Sequence, residues 1–284
     1  MERNPGAATA PEESHTREEI TMAWLLFLTV SFGASVVGAI CGIGGGVIIK
    51  PALDLFHLAS VSTISFLSGC TVLSMSLYNV TKSLASRESA IDTKTGTPLA
   101  LGAAAGGILG QNLFATVRAA FADPNAVGSV QAICLFAVTL GTLIYTLNKR
   151  RIDTHRVTHP VACALIGLAL GVMSSFLGIG GGPINLVVLA YFFSMPTKTA
   201  AQNSLYVILF SQIANLFTTI LTASVPTFEP FTLALMVLGG IGGGMLGRTF
   251  NKRMDSRAVD RLFIVLMIVI MGISLFNAWR YAAL

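Results

Sequence analysis

Apolar positions along this chain come in long unbroken runs, with the polar residues gathered between them. Ten runs stand out, near Met22–Ile40, Val47–Leu58, Val61–Val80, Pro98–Val117, Val130–Leu147, Val161–Phe176, Pro183–Phe193, Ala200–Leu221, Phe231–Gly247 and Leu262–Trp279. A helix crossing the hydrocarbon of a bilayer needs about 17–25 such residues, and most of the runs predict one. The second and seventh are shorter. At about 1.5 Å per residue they reach roughly halfway to two-thirds of the way across. Each lies directly behind a GIGGG pentad, Gly42–Gly46 and Gly178–Gly182. Glycine leaves the helical region without a Cβ penalty, so the pattern predicts a helix broken at the same point twice.

The two breaks belong to a longer correspondence. Gly102, Gly106 and Gly110 recur 137 positions later as Gly239, Gly243 and Gly247, both sets reading GxxxGxxxG. Ser68 and Asn79 recur 136 positions later as Ser204 and Asn215. A duplicated unit of that length accounts for the ordered series. The glycine triplets put small residues on one helix face and invite close packing, inside one subunit by preference, with a homodimer as the alternative.

Charge gives the duplication its sense. If the short runs merely extend their predecessors, the 18 Lys and Arg divide 10 to 8 between the two sides. If each GIGGG turns the chain back, the connections Asn79–Thr97, Lys149–His159, Met195–Thr199 and Arg248–Arg261 share one side and the division becomes 13 to 5. Positive charge marks the cytoplasmic side, so the second arrangement is preferred. Each half then crosses an odd number of times, which is the condition for inversion. The expected architecture is an all-α polytopic integral membrane protein of two inverted repeats with glycine-broken re-entrant or short helices. Its parts are a disordered polar tail over 1–21, a first repeat over 22–148, a basic cytoplasmic connection over 149–160 and a second repeat over 161–284. Both termini face away from the cytoplasm, in a cell inner (cytoplasmic) membrane. The parity does not separate a half-depth hairpin from a full short crossing.

Composition agrees. Of 284 residues 54% are hydrophobic and only 11% charged, about half the usual globular share of roughly 25%. The net charge of +5 lies in short connections, where orientation explains it, so no nucleic-acid partner is implied. Cys41, Cys70, Cys134 and Cys163 are isolated and form no CxxC, and the four histidines have no partner at ligand spacing, so neither a metal site nor a disulfide is expected. The first 21 residues carry five acids and two bases and lack the basic start of a signal peptide. GGGMLG, Gly242–Gly247, matches GxGxxG but has no preceding strand, and GGGVIIK lacks the Gly-Lys-Ser/Thr ending of a phosphate loop. No cofactor motif or catalytic set can be assembled, and no enzyme is expected.

Inverted repeats with broken helices are the signature of secondary transporters, whose substrate site lies at the repeat interface. A helix broken within the membrane exposes N–H groups that protein, water or ligand must satisfy, and successive N–H groups at a helix start attract anions. Candidate substrate contacts are therefore Gly44, Gly45 and Gly46 facing Gly180, Gly181 and Gly182. The competing reading gives the glycines a packing role only. Lys50 lies one turn beyond the first break, where the second half carries Leu186. It meets an anion, pairs with Asp54 or snorkels. Asp54 is either its partner or part of a proton-coupling step. Asn185 lies beside the second break. Ser68, Gln202, Asn203 and Ser204 add polar groups on the following runs, while Asn79, Gln212 and Asn215 serve coupling or interhelical bonding.

These stretches, "GAICGIGGGVIIKPALDLF", "GVMSSFLGIGGGPINLVVLAYF" and "TKTAAQNSLYVI", resemble the TauE/SafE family, the sulfite exporter or sulfonate permease family of membrane transporters. The resemblance covers nearly everything after residue 21. It implies transport of sulfite or an organosulfonate such as sulfoacetate, and it marks Gly44–Gly46, Gly180–Gly182, Pro51, Asn203 and Ser204. The chain departs from the family pattern at Gln202-Asn203, where a threonine-serine pair is common, and at "ISFLSG", which lacks the usual Ala-Thr. The expectation is a secondary transporter of small sulfur oxyanions, working by alternating access and most naturally as an exporter, with no cofactor, a lipid bilayer around it and proton coupling as an option. An anion-selective channel or a non-transporting membrane scaffold is the alternative.

Overall fold

The computed structural model of the protein describes residues 10–56, 59–86, 89–120, 124–149, 151–177 and 181–283. Ten helices make up most of them, one for each apolar run and in the same order. They are α1 (Ala10–Cys41), α2 (Gly46–Phe56), α3 (Val61–Leu84), α4 (Thr93–Ala120), α5 (Pro124–Asn148), α6 (Pro160–Phe176), α7 (Gly182–Phe193), α8 (Thr197–Leu221), α9 (Pro230–Arg253) and α10 (Ser256–Ala283). Six of these, α1, α3, α5, α8, α9 and α10, are long and apolar enough to cross a membrane. The short helices behind the glycine breaks have 11 and 12 residues.

Helix ends extend past the apolar runs because their caps are polar. Ser60 Oγ accepts from Thr63 N at 3.2 Å and starts α3, while Pro160 and Pro230 occupy first-turn positions of α6 and α9, where their missing N–H costs nothing. Asp92 precedes α4 and accepts from Lys94 N at 3.0 Å and Thr95 Oγ1 at 2.7 Å. Glu229 precedes α9 and accepts from Thr232 Oγ1, also at 2.7 Å. These acid-x-x-Thr caps are 137 positions apart, the same offset as the glycine triplets. α1 starts at Ala10, so the helix takes in most of the acidic stretch expected to be a tail. Pro11, Glu12 and Glu13 are residue types that favour a helix start.

The packing respects the duplication. α4 lies most extensively against α6, and α1 against α9; α4 also meets α8, as α9 meets α3; α5 pairs with α10, and α3 with α8. Exchanging α1–α5 for α6–α10 returns the same set of partners. The glycine triplets create the two largest seams. A Cβ on Gly102, Gly106 or Gly110 would overlap the α6 backbone at Ala164, Leu168 or Val172, and one on Gly243 or Gly247 would overlap α1 at Phe32 or Val36. Both GxxxGxxxG faces are thus consumed inside the chain, where small residues let the backbones approach.

Two ends of the bundle can be told apart by their contacts. At one, Lys149 Nζ bonds both carboxylate oxygens of Asp260 at 2.6 Å and Thr197 Oγ1 at 2.9 Å, and Lys198 Nζ reaches Met254 O at 2.9 Å. The connection before α4 joins them through Asp92 N and Asn203 Oδ1, 3.0 Å apart. The four basic connections therefore gather at a single end, called the basic end below. At the other, Trp24 Nε1 donates to Glu229 Oε2 at 3.0 Å and Thr63 Oγ1 to Thr227 O at 3.0 Å.

These contacts fix the course of both hairpins. α1 runs toward the basic end, where Asn251 Nδ2 donates to Ile40 O at 2.6 Å, and α2 turns back from it. There Ile49 and Leu53 are buried with Phe27, Ile64, Leu67 and Met236. α6 starts at the basic end, and α7 returns there, since His155 N and Val157 N, just ahead of α6, donate to Tyr191 O and Phe192 O at 2.7 and 2.9 Å. The chain thus reverses between α1 and α2 and again between α6 and α7, and the two hairpins point in opposite directions.

Candidate functional site

The tips of the two hairpins meet inside the main hydrophobic core. At the first, Gly42 and Gly44 have φ of 75° and 71°, and at the second Gly181 has φ of 116° and caps α7. L side chains rarely adopt such values, so the turns need glycine there. The first tip also requires close approach. A Cβ on Gly38 would stand 2.6 Å from Gly45 N, so α1 and its own turn touch backbone to backbone.

One side chain joins the tips. Ile208 of α8 is fully buried. Its Cδ1 lies 3.4 Å from where a Cβ on Gly44 would be, and its Cγ1 lies 2.8 Å from the same point on Gly181. The N-terminal ends of α2 and α7 therefore flank the middle of α8, with Val72 of α3 closing the first side at 3.4 Å. Helix starts carry partial positive charge and unsatisfied N–H groups. Among the described residues the N–H groups of Gly44 and Gly45 meet no backbone acceptor.

Hydroxyls surround this point. Ser68 Oγ lies 3.4 Å from a Cβ built on Gly46, and Ser35 Oγ 3.2 Å from one on Gly45. Ser35 and Ser204 are completely buried, and neither hydroxyl has a hydrogen-bond partner among the described residues. A helical serine ordinarily bonds back to its own helix, as Ser31 does to Phe27 O at 2.6 Å. Ser35 lies at the first tip and Ser204 is the repeat counterpart of Ser68; Ser174 of α6 is likewise without a partner among the described residues.

The other expected site residues divide. Asn185 is buried beside the second tip, with Nδ2 3.0 Å from a Cβ on Gly181. Lys50 and Asp54 are half-buried, one turn apart on α2. Gly182 opens α7 and is buried, whereas Gly180 lies outside the described residues. Asn203 is tied to the connection before α4: its Nδ2 donates to Ala90 O and Thr199 O, both at 2.9 Å, and its Oδ1 accepts from Asp92 N. Gln202 Oε1 accepts from Ser83 Oγ at 2.6 Å, at the basic end. Asn79 and Asn215 play matching parts on two seams. Asn79 Nδ2 donates to Met75 O at 2.9 Å and lies 2.8 Å from a Cβ on Gly244, and Asn215 Oδ1 lies 3.2 Å from one on Gly107. Gln212 faces Gly69 of α3 in the same way, at 3.4 Å.

Sequence reasoning missed Ser35, Ile208, Ser83, Arg248, Asn251 and Lys252. The last three follow the second GxxxGxxxG at one-turn spacing, but in the sequence Arg248 and Lys252 read only as charges of a basic connection. Ile208 gave no signal, being one apolar residue in an apolar run.

The family model described as Sulfite exporter TauE/SafE matches residues 27–275. The "Probable membrane transporter protein YunE" of Bacillus subtilis (strain 168) is 24% identical over 270 residues, covering 88% of this chain and 96% of that protein. No solved structure matches.

Proposed function

Because this chain belongs to the sulfite exporter TauE/SafE family of membrane transporters, we propose that it carries small sulfur oxyanions, sulfite, sulfoacetate or a related sulfonate, out of the cell by alternating access. The observation that supports this most directly is the meeting of both broken helices on Ile208. In this reading the two N-terminal helix ends and the hydroxyls of Ser35, Ser68 and Ser204 receive the anion oxygens. Lys50 supplies positive charge and Asn185 an orienting bond, while Asp54 serves proton coupling. Asn203 holds the connection before α4 in place and acts on the substrate path through it.

Alternation follows from the opposed hairpins. The α1–α2 turn is reached from one end of the bundle and the α6–α7 turn from the other, so tilting one half against the other exposes the tips to each side in turn. Ile208 must move for an anion to enter between Gly44 and Gly181, which makes its rotamer part of the cycle. The basic end is assigned to the cytoplasm by its excess of Lys and Arg, which puts the opposite end and both termini outside, in a cell inner membrane.

Purified protein in liposomes tests the reading through currents on a solid-supported membrane and through radiotracer counterflow, comparing sulfite, sulfoacetate, taurine, sulfate and acetate. A saturable signal for a sulfonated anion or sulfite, with counterflow, is the expected outcome. Conduction that does not saturate and shows no counterflow identifies a channel. Silence in both assays identifies a scaffold.

A further inference from the structure

The basic end holds a small pocket, open to the surroundings, between α1, α3, α8 and α9. Its polar lining is Asn79, Ser83, Gln202, Arg248, Asn251 and Lys252. Arg248 and Lys252 are four residues apart on α9 and so lie on one helix face. Arg248 is half-buried and held in place, with Nη1 donating to Asn79 O at 3.0 Å. That contact uses one of its five N–H donors. Among the described residues neither cation has a carboxylate within ion-pair distance. Gln202 Oε1 is already engaged by Ser83, which leaves its amide N–H groups as what it offers the pocket.

Among the described residues the lining thus presents two positive charges and several N–H donors, and no acid. A guanidinium removed from water without a counter-charge is costly, and its planar fork matches two oxygens of one anion. The floor of the pocket includes Ala39 and Ala201, and Ala201 is the residue whose backbone lies against Gly42 of the first tip. Ile208 is seven residues farther along α8, about 10 Å away at the helical rise. The pocket therefore adjoins the hairpin tips without being part of them.

We propose that this pocket is a second oxyanion site, in which Arg248, Lys252 and the Gln202 amide hold a sulfite or sulfonate head group at the basic end before or after it occupies the tips. The ligand class rests on the transport reading above; the position of the site does not.

Calorimetric titration of the purified full-length chain with sodium sulfite and with sulfoacetate, against acetate and chloride as controls, tests it. Arg248→Gln should weaken sulfite binding in the pocket by about 10- to 100-fold, as loss of a charged hydrogen-bonding partner does. Lys252→Gln, at an exposed position that the fold does not depend on, should weaken it by about two- to threefold, an effect that disappears in high salt. The double change Ser68→Ala and Ser204→Ala should remove a different binding phase. Wild-type binding in Lys252→Gln together with folded Arg248→Gln overturns the proposal, and so does a single phase lost equally in the serine variant. If Arg248→Gln does not fold, an unchanged Lys252→Gln at low salt is sufficient to overturn it. A repeat in nanodiscs separates a soluble anion from a lipid phosphate. Equal sulfite affinity in phosphatidylcholine and phosphatidylglycerol supports the soluble anion, and loss of it in phosphatidylglycerol overturns that source. Arg248-dependent binding without counterflow would defeat the transport reading and leave this site standing. Counterflow with a half-saturating concentration indifferent to Arg248 would do the reverse.

Discussion

The two hairpin tips are built to one plan and furnished differently. Both turn at glycines of positive φ and both rest on Ile208. The first tip is followed by Lys50 and Asp54 on α2, while the second is followed by Asn185 and Leu186 on α7, with no charge among the described residues of that helix. The duplicated geometry therefore supplies the fold and the pair of helix ends, and the charge is the contribution of one copy alone. That separates two roles which a symmetric pair would confound: closing the turn, required of both tips, and drawing an anion, proposed for one.

The largest expected effect comes from attacking closure at the more constrained tip. Gly181→Leu places a side chain at φ of 116° with its Cβ 2.8 Å from Ile208 Cγ1. It should cost about 3 kcal/mol or more and abolish counterflow. Gly44→Ala sits at φ of 71° with its nearest neighbours at ordinary contact, 3.4 Å. It should cost only about 1–2 kcal/mol and leave a folded protein. Thermal unfolding in detergent ranks them, and equal losses would show that the tips are not constrained as described.

Much of this was legible before the structure. Every apolar run became a helix, and the glycine pentads, the triplets and the charge division pointed to two chain-reversing turns. The reason is physical: in hydrocarbon the backbone has few choices, so runs and breaks translate directly into helices and turns. Less legible was how the polar side chains are spent. Asn203 and Gln202 are neighbours in sequence and look alike, yet one amide is tied to the connection before α4 and the other borders the basic-end pocket. Neighbouring helical positions point about 100° apart, and only the packing of α8 against α3 and α4 decides what each meets. Ser35 was passed over as one small residue in the first run; its importance comes from an encounter with Gly45, ten positions away across a turn. The apolar run marks a start for the first helix at Met22, whereas α1 begins at Ala10, because polar residues can extend a helix beyond the stretch that hydropathy detects.

A second, smaller effect sharpens the difference in charge. Lys50→Leu gives the first hairpin the residue that its counterpart carries at Leu186. If charge is the first copy's contribution, transport of sulfite or sulfoacetate should fall by about tenfold or more, the usual consequence of removing a charged partner from a buried anion. The helical content and the contacts of Gly44 with Ile208 should persist. Counterflow at the wild-type rate would return the two tips to equivalence and reduce Lys50 to a structural residue.

The smallest expected effect concerns the paired caps that precede α4 and α9. Asp92 and Glu229 each accept a threonine hydroxyl three residues on, but Glu229 also accepts from Trp24 Nε1 of α1, and Trp24 packs edge-on to Phe231 with centroids 4.6 Å apart. The indole and then the threonine donor hold the Glu229 carboxyl below its ordinary value of 4.5, with burial opposing weakly. A depressed folded value means that the carboxylate stabilises the native state above the ordinary glutamate range, and that this contribution is lost as pH falls through the depressed value. Because the cap is exposed to solvent, Glu229→Gln should lower Tm at pH 7 by only about a degree or two. That difference should shrink as the pH drops below 4.5, where wild type loses its own charge. A gap between wild type and variant that is the same at pH 7 and pH 3.5 would mean that the carboxylate charge does not join α1 to α9, leaving that seam to its glycines.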